Sequence, residues 1–332
     1  MALLGPWAVD SAYQVYVDGR LLGGVGDFSG ATPTAHSYHY PTFFALPPTT
    51  RGNGLTVIAI RVWIGPWELG DPDGGGIHIA PAIGERDVIA AQYRLQWLKI
   101  FEGYVVDVVP ALLFFLAAIM TLCLQPFDTG GRTYPWLAAA LTLSGIQRGN
   151  QPFFFWLQLE TVKEFVVLIV ALTGSLSMGA WMMAWRNGFK VTRPTWLPKA
   201  IAVLTFVLTA AQMLANPWVF DAAFGHFTDI SVDYLITAVR LAFLLMLLLI
   251  TYQGVRRSGS EGGYALPAVL AIGAVLFSGE LAAAHVPGVW FPWGVGISLS
   301  EYASVVFVLL LFALLLRRLW STHAWRGDHG SR

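Results

Sequence analysis

Between residues 104 and 318 the chain runs through seven long apolar stretches joined by short connections. They fall at about 104–124, 134–157, 163–185, 196–216, 232–253, 265–285 and 290–316. Each has roughly the 20 residues a helix needs to cross a ~30 Å hydrocarbon core. Of the 332 residues, 56% are apolar and only 12% charged, against about 25% charged in an ordinary soluble domain. The sequence predicts a membrane all-α seven-helix bundle over 102–318. A small all-β domain over 1–101 precedes it, and a basic tail over 319–332 follows.

Charge gives the bundle a direction. One set of alternate connections, with the tail, holds Arg132, Arg186, Lys190, Arg193, Lys199, Arg256, Arg257, Arg317, Arg318, Arg326 and Arg332. The opposite set holds Lys163 alone, and carries Asp221, Asp229 and Asp233. Lys and Arg collect on the cytoplasmic side, which places the N-terminal domain outside and the C-terminus inside. Trp136, Trp156, Trp185, Trp196, Trp218, Trp290, Trp293 and Trp320 lie near span ends, as an aromatic belt at the headgroups requires. The localisation expected is a bacterial inner membrane.

Residues 1–101 are rich in Gly, Pro, Tyr and Val and read as having no helical period. Tyr13, Val15 and Val17 alternate, Asp18-Gly19 follows, and Arg20-Leu21-Leu22 comes next. Asp-Gly between β-prone runs marks a tight hairpin. Leu55–Val62 reads as a strand buried on both faces, and Ile77–Ile83 as a third strand. This composition indicates an antiparallel sandwich or jelly roll. Four or five strands can be found where a jelly roll has about eight, and no export signal precedes them. The N-terminus is therefore expected to be incomplete. The loop Asp71-Pro72-Asp73-Gly74-Gly75-Gly76 lacks the ligand spacing of a calcium-binding EF-hand.

Four ionisable groups sit within the predicted spans: Arg148, Arg240, Glu280 and Glu301. Counted at 1.5 Å per residue they fall in the outer half of the bilayer or near its midplane. An unpaired charge there costs ~3 kcal/mol on insertion scales, so two arginines and two glutamates at one depth are expected to neutralise one another. Three roles stay open for this layer: interhelical ion pairs, the base of an outward-open ligand pocket, or a proton relay. Gly149, Asn150, Gln151 and Pro152 soften the second span next to Arg148. Asn150 joins the candidate ligand-binding set with the four charged residues.

Catalytic signatures are missing. The histidines are His36, His39, His78, His226, His285, His323 and His329; of these only His285 approaches the charged layer, on a different helical face from Glu280. There is no HExxH, GxSxG or Cys/His cluster, and Cys123 is the single cysteine. No cofactor, no metal and no enzyme activity are expected. A formal net charge of zero gives no field for nucleic acid.

Ala12–Gly23 (AYQVYVDGRLLG), Ala59–Trp63 (AIRVW), the Gly-rich loop and Pro81-Ala82-Ile83-Gly84, followed by seven spans, form a recognisable combination. The chain resembles the bacterial seven-transmembrane receptors with diverse intracellular signalling modules. That resemblance implies an outer domain like carbohydrate-binding jelly rolls and a ligand-sensing function. Family members continue after the last span into a kinase, diguanylate cyclase or PP2C-type phosphatase domain. This chain stops at Arg332, so the output is expected from a lost domain or a separate effector, reached through Leu309–Trp320. The partners expected are membrane lipid, a small-molecule ligand, a cytoplasmic signalling effector and, as an option, a second copy in a homodimer. The competing reading is a proton-coupled secondary transporter working through Glu280 and Glu301.

Overall fold

Asp18 and Gly19 take φ of 49° and 83°, the positive values that a two-residue type I′ turn demands. They join β3 (Ala12–Val17) to β4 (Arg20–Val25), and β3 also pairs with β6 (Ile58–Trp63). The computed structural model describes residues 1–10, 12–30, 33–34, 40–47, 55–65, 76–127, 133–157, 161–215, 229–258, 260–289 and 298–329. Most of the Asp71–Gly76 loop lies outside the described residues. So do Arg132, Asp221, Trp218, Trp290, Trp293, His36, His39 and His226.

Two compact units form. The first contains Met1–Val105 and Gln151–Val166. Besides the β4-β3-β6 sheet it has a sheet of order β5-β1-β8, from β1 (Ala2–Leu4), β5 (Phe43–Ala45) and β8 (Ala82–Gly84). A short ladder of β2 (Val9–Asp10) with β7 (Gly76–Ile77) accompanies them. Leu3, Val9, Tyr13, Val15 and Val25 make the core. The Tyr13 hydroxyl meets Thr42 Oγ1 at 2.5 Å, and burial pushes the phenol up to about 12.

Several expectations are corrected here. Among the described residues eight short strands form, more than the four or five expected. β6 alternates between half-buried and exposed residues from Ile58 to Val62, so it is covered on one face, not two. Ile77–Ile83 is not one strand: its ends belong to β7 and β8, in different ladders. The segment before residue 101 is also not all β. Helix α1 spans Arg86–Leu124, because Ile89, Tyr93, Trp97, Ile100 and Tyr104 recur every three to four residues. Ile89 packs with Ala2 and Leu4 of β1, and Tyr93 and Trp97 meet Phe43 and Tyr40.

The helices after α1 are α2 (Thr133–Leu157), α3 (Val162–Gly188), α4 (Leu197–Leu214), α5 (Asp229–Ser258), α6 (Ser260–Leu276), α7 (Ser278–Ala283) and α8 (Leu299–His329). Thr161 and Glu164 form a capping box at the start of α3, which ends one donor deficit at each partner. Residues Val167–Gly174 of α3 wind as a π-helix, with Thr173 Oγ1 donating to the carbonyls of Leu168 and Ile169. Lys190, at φ 53°, closes α3: Val191 N–H reaches Arg186 O and Lys190 N–H reaches Asn187 O, the two bonds of a Schellman motif.

Five of these helices are long and apolar enough to cross a membrane: α1, α3, α4, α5 and α8. Their outer faces support that use. On α5, Leu241, Leu245, Leu248 and Tyr252 recur at helical spacing and are about half exposed or more. Val109, Leu112, Leu116 and Ile119 do the same on α1. A soluble helix turns such a stripe inward.

The second unit, Val106–Asn150, Val167–Ala215 and the described residues from Asp229 on, has one core. Trp181 is its centre, fully buried, edge-on to Phe307 at 5.0 Å. Its indole N–H donates to Ser144 Oγ. Trp185, expected in the interfacial belt, is instead buried beside it, stacked between Trp181 and Phe189.

Candidate functional site

The four charges sort into two groups, both in the second unit. The first is the pair Arg240–Glu280. Arg240 projects from α5, and Nε and Nη2 both donate to the Glu280 carboxylate, the latter at 2.7 Å. Nη2 also donates to Leu276 O at 3.0 Å. Leu276 is the last residue of α6 and Glu280 lies in the first turn of α7.

Between them the helix is interrupted at Phe277, φ −110° and ψ 27°. Ser278-Gly279 follows, and Gly/Ser pairs are a recognised cause of sharp kinks. An interrupted helix leaves carbonyls without donors. Arg240 supplies one of those donors and a counter-charge for the acid beside it. The predicted sixth span, 265–285, is thus two helices held across their break by one side chain. It closes at His285, φ 58°, by the same Schellman pattern as α3.

The second group brings together Asp107 of α1, Arg148 of α2 and Glu301 of α8. Arg148 Nη1 stands 3.7 Å from Asp107 Oδ1, and Glu301 is within electrostatic reach of both. Asp107 and Glu301 are 5% and 9% exposed, so two carboxylates lie away from water within electrostatic reach of one guanidinium. Asn150 is equally buried. Asp107 was not among the sequence candidates, although its place at the start of the first predicted span was visible.

Glu301 is not deep inside its helix, as the predicted span 290–316 implies. Helix α8 begins at Leu299, and Glu301 is the third residue of its first turn. Its Oε2 accepts from Ser298 N–H at 2.6 Å, and its own N–H approaches Ser298 Oγ at 3.4 Å. This is a capping box. The sequence signal was Ser298-Leu299-Ser300-Glu301 ahead of an apolar run. The carboxylate therefore caps α8 and lies within electrostatic reach of Arg148.

Helix α2 runs through Gly149–Pro152 without interruption. Proline has no N–H, so Pro152 leaves the Arg148 carbonyl without its usual helical donor. Polarity gathers around this place in the sequence: Gln147, Arg148, Asn150 and Gln151 make α2 less apolar than the five candidate spans.

The cluster brings together charges from three helices, one cation with two acids. Comparison of the chain with protein-family models, curated proteins and solved structures found no match.

Proposed function

We propose that the chain is a seven-span bacterial inner-membrane receptor that senses a small extracytoplasmic ligand, with carbohydrate as the class suggested by its resemblance to seven-transmembrane signalling receptors. In this reading α2, and α6 with α7, cross the membrane beside the five more apolar helices. The β domain lies outside and the far end of α8 lies inside, as the Lys and Arg distribution favours.

The observation that carries the reading is α8 itself. It starts in the Asp107–Arg148–Glu301 cluster and continues without a break for 31 residues, about 46 Å at helical rise. That exceeds the ~30 Å hydrocarbon core. A rigid helix capped inside a charged cluster and emerging beyond the membrane converts a change at one end into a displacement at the other. It packs along α6, where Arg317 lies over the Tyr264 ring at 4.0 Å. Ligand binding outside shifts the balance between two arrangements of the cluster, and an effector inside reads the end of α8. Such a shift requires a ligand that binds the two arrangements unequally.

Two carboxylates on one arginine are also what a proton carrier uses, so transport is the competing function. Against it, Glu280 is held by two nitrogens of Arg240 and Glu301 is engaged as a helix cap. Proteoliposomes with an imposed pH gradient distinguish the two. The receptor reading expects no proton flux that depends on Glu301. Flux that is present in the native chain and lost in Glu301→Gln replaces sensing by transport.

A further inference from the structure

A cleft of about 860 Å³ opens between the loop that precedes α4 and the last turns of α5. Arg193 lines it from the loop, and Arg256 and Arg257 from the end of α5. Trp196, Tyr252 and Gln253 form the rest of the wall used here. All three arginines are exposed, and no described lining residue is acidic. Arg256 and Arg257 sit in the last turn of α5, where a cation is favoured by the helix dipole. Arg193 is in no helix, so that account does not cover it. Three guanidinium groups thus line one cavity with no acid among the described lining residues, a lining suited to an anion.

Other features point the same way. Helix α4 begins at the cleft wall with Trp196 as its N-cap residue, which makes no side-chain capping bond, and its first turn has no acid. The positive end of an 18-residue helix therefore adds to the arginine field. Guanidinium is suited to phosphate, which it binds through two parallel N–H donors.

The apolar surroundings indicate where the phosphate comes from. The exposed stripe Leu241, Leu245 and Leu248 on α5 leads along the helix to Tyr252, in the cleft wall. Trp196 and Tyr252 are half or more exposed, in the position of interfacial aromatics, which sit at headgroup level. The cavity is within the size range of small-molecule sites, about 300–1,000 Å³, which gives room for a headgroup with the first carbons of its chains.

We propose that this cleft holds the phosphate headgroup of an anionic phospholipid, whose acyl chains lie along Leu241, Leu245 and Leu248 of α5. The proposal needs only that α4 and α5 cross a bilayer and is independent of the receptor reading.

The test uses the full chain in nanodiscs of phosphatidylcholine with a minor fraction of phosphatidylglycerol. Native mass spectrometry counts the phosphatidylglycerol retained on release. Each cation near a surface contributes about a fivefold change in lipid affinity. Arg193→Gln is expected to weaken retention about fivefold, and the Arg193→Gln, Arg256→Gln, Arg257→Gln triple variant about a hundredfold. Arg326→Gln, which removes a tail charge, leaves retention unchanged. If the triple variant does not fold, Arg193→Gln alone decides, since its side chain is outside any helix. Retention equal in native and Arg193→Gln chains overturns the proposal. Displacement of the lipid by millimolar inorganic phosphate also overturns it, and assigns the cleft to a free anion.

Discussion

Arg240 donates to the Glu280 carboxylate through two nitrogens while the same guanidinium takes the Leu276 carbonyl. One side chain from α5 thereby bridges the gap between α6 and α7. The pair has both a charge function and a backbone function, which separate experimentally.

Arg240→Ala removes the counter-charge and the carbonyl's donor together, and is expected to destabilise the bundle by about 2–3 kcal/mol. Glu280→Gln keeps the hydrogen bond to Leu276 and costs less. In a double-mutant cycle the coupling between the two is about 1–2 kcal/mol, the upper range for membrane helices. Unfolding in mixed micelles measures all three. Coupling near zero removes the pair from the account of why α6 and α7 stay together.

At the start of α8 the cap and the charge also separate. Ser298→Ala removes the capping hydroxyl and is expected to destabilise by about 1 kcal/mol. Glu301→Gln retains a capping-box residue but deletes the charge within electrostatic reach of Arg148. It is therefore expected to leave the helix start intact, by hydrogen exchange at Ser298–Tyr302, while altering the cluster. Fraying of that first turn in Glu301→Gln contradicts the separation of cap and charge.

Lys190 and His285 hold left-handed backbone at helix ends, which costs a side chain roughly 1 kcal/mol. Lys190→Gly is expected to stabilise by up to about that amount, since glycine takes this conformation freely. Thermal unfolding in detergent reads the change. A loss of stability means the Lys190 side chain makes a contribution larger than its strain.

The β domain has its own pH dependence. Tyr13 is raised in the folded chain from its ordinary value near 10 to about 12 by burial. The folded state keeps its proton longer than the unfolded state does. Stability from this group is full below pH 10 and falls by roughly 3 kcal/mol as pH rises to about 12. Tyr13→Phe removes that decline, as near-ultraviolet circular dichroism of the full chain tests. An unchanged decline in Tyr13→Phe assigns it elsewhere.

Much of this was legible in the sequence, and each miss has a physical reason. Apolar length was enough to find a helix at each predicted stretch with described residues, and Asp18-Gly19 was enough for the hairpin. The helix from Arg86 adjoins a Gly- and Pro-rich β region, and only the helical spacing of Ile89, Tyr93, Trp97 and Ile100 marks its start. Glu301 read as an acid deep within a span because the apolar run was started at residue 290; Ser298-x-x-Glu301 marks a later start. Asp107 was missed because an acid at a span's edge reads as interfacial. Only the meeting of α1 with α2 makes it the partner of Arg148. Gly149–Pro152 read as a softened stretch of the second span, and α2 is helical through it.

Seven crossings are checked by thiol labelling from the two sides of sealed membrane vesicles. With Cys123→Ser as background, single cysteines at Thr129 and Glu160 are expected to label from opposite sides, as α2 crosses between them. Labelling from the same side reduces the number of spans.

The central claim is that the Asp107–Arg148–Glu301 cluster governs the position of α8. Spin labels at Leu270 on α6 and Leu316 on α8, both exposed, report that position by pulsed dipolar spectroscopy in nanodiscs. Glu301→Gln is expected to shift the label distance by about 1–2 Å, the size of helix movements in switching proteins, in a chain that remains folded. Identical distance distributions in the native and Glu301→Gln proteins contradict the account.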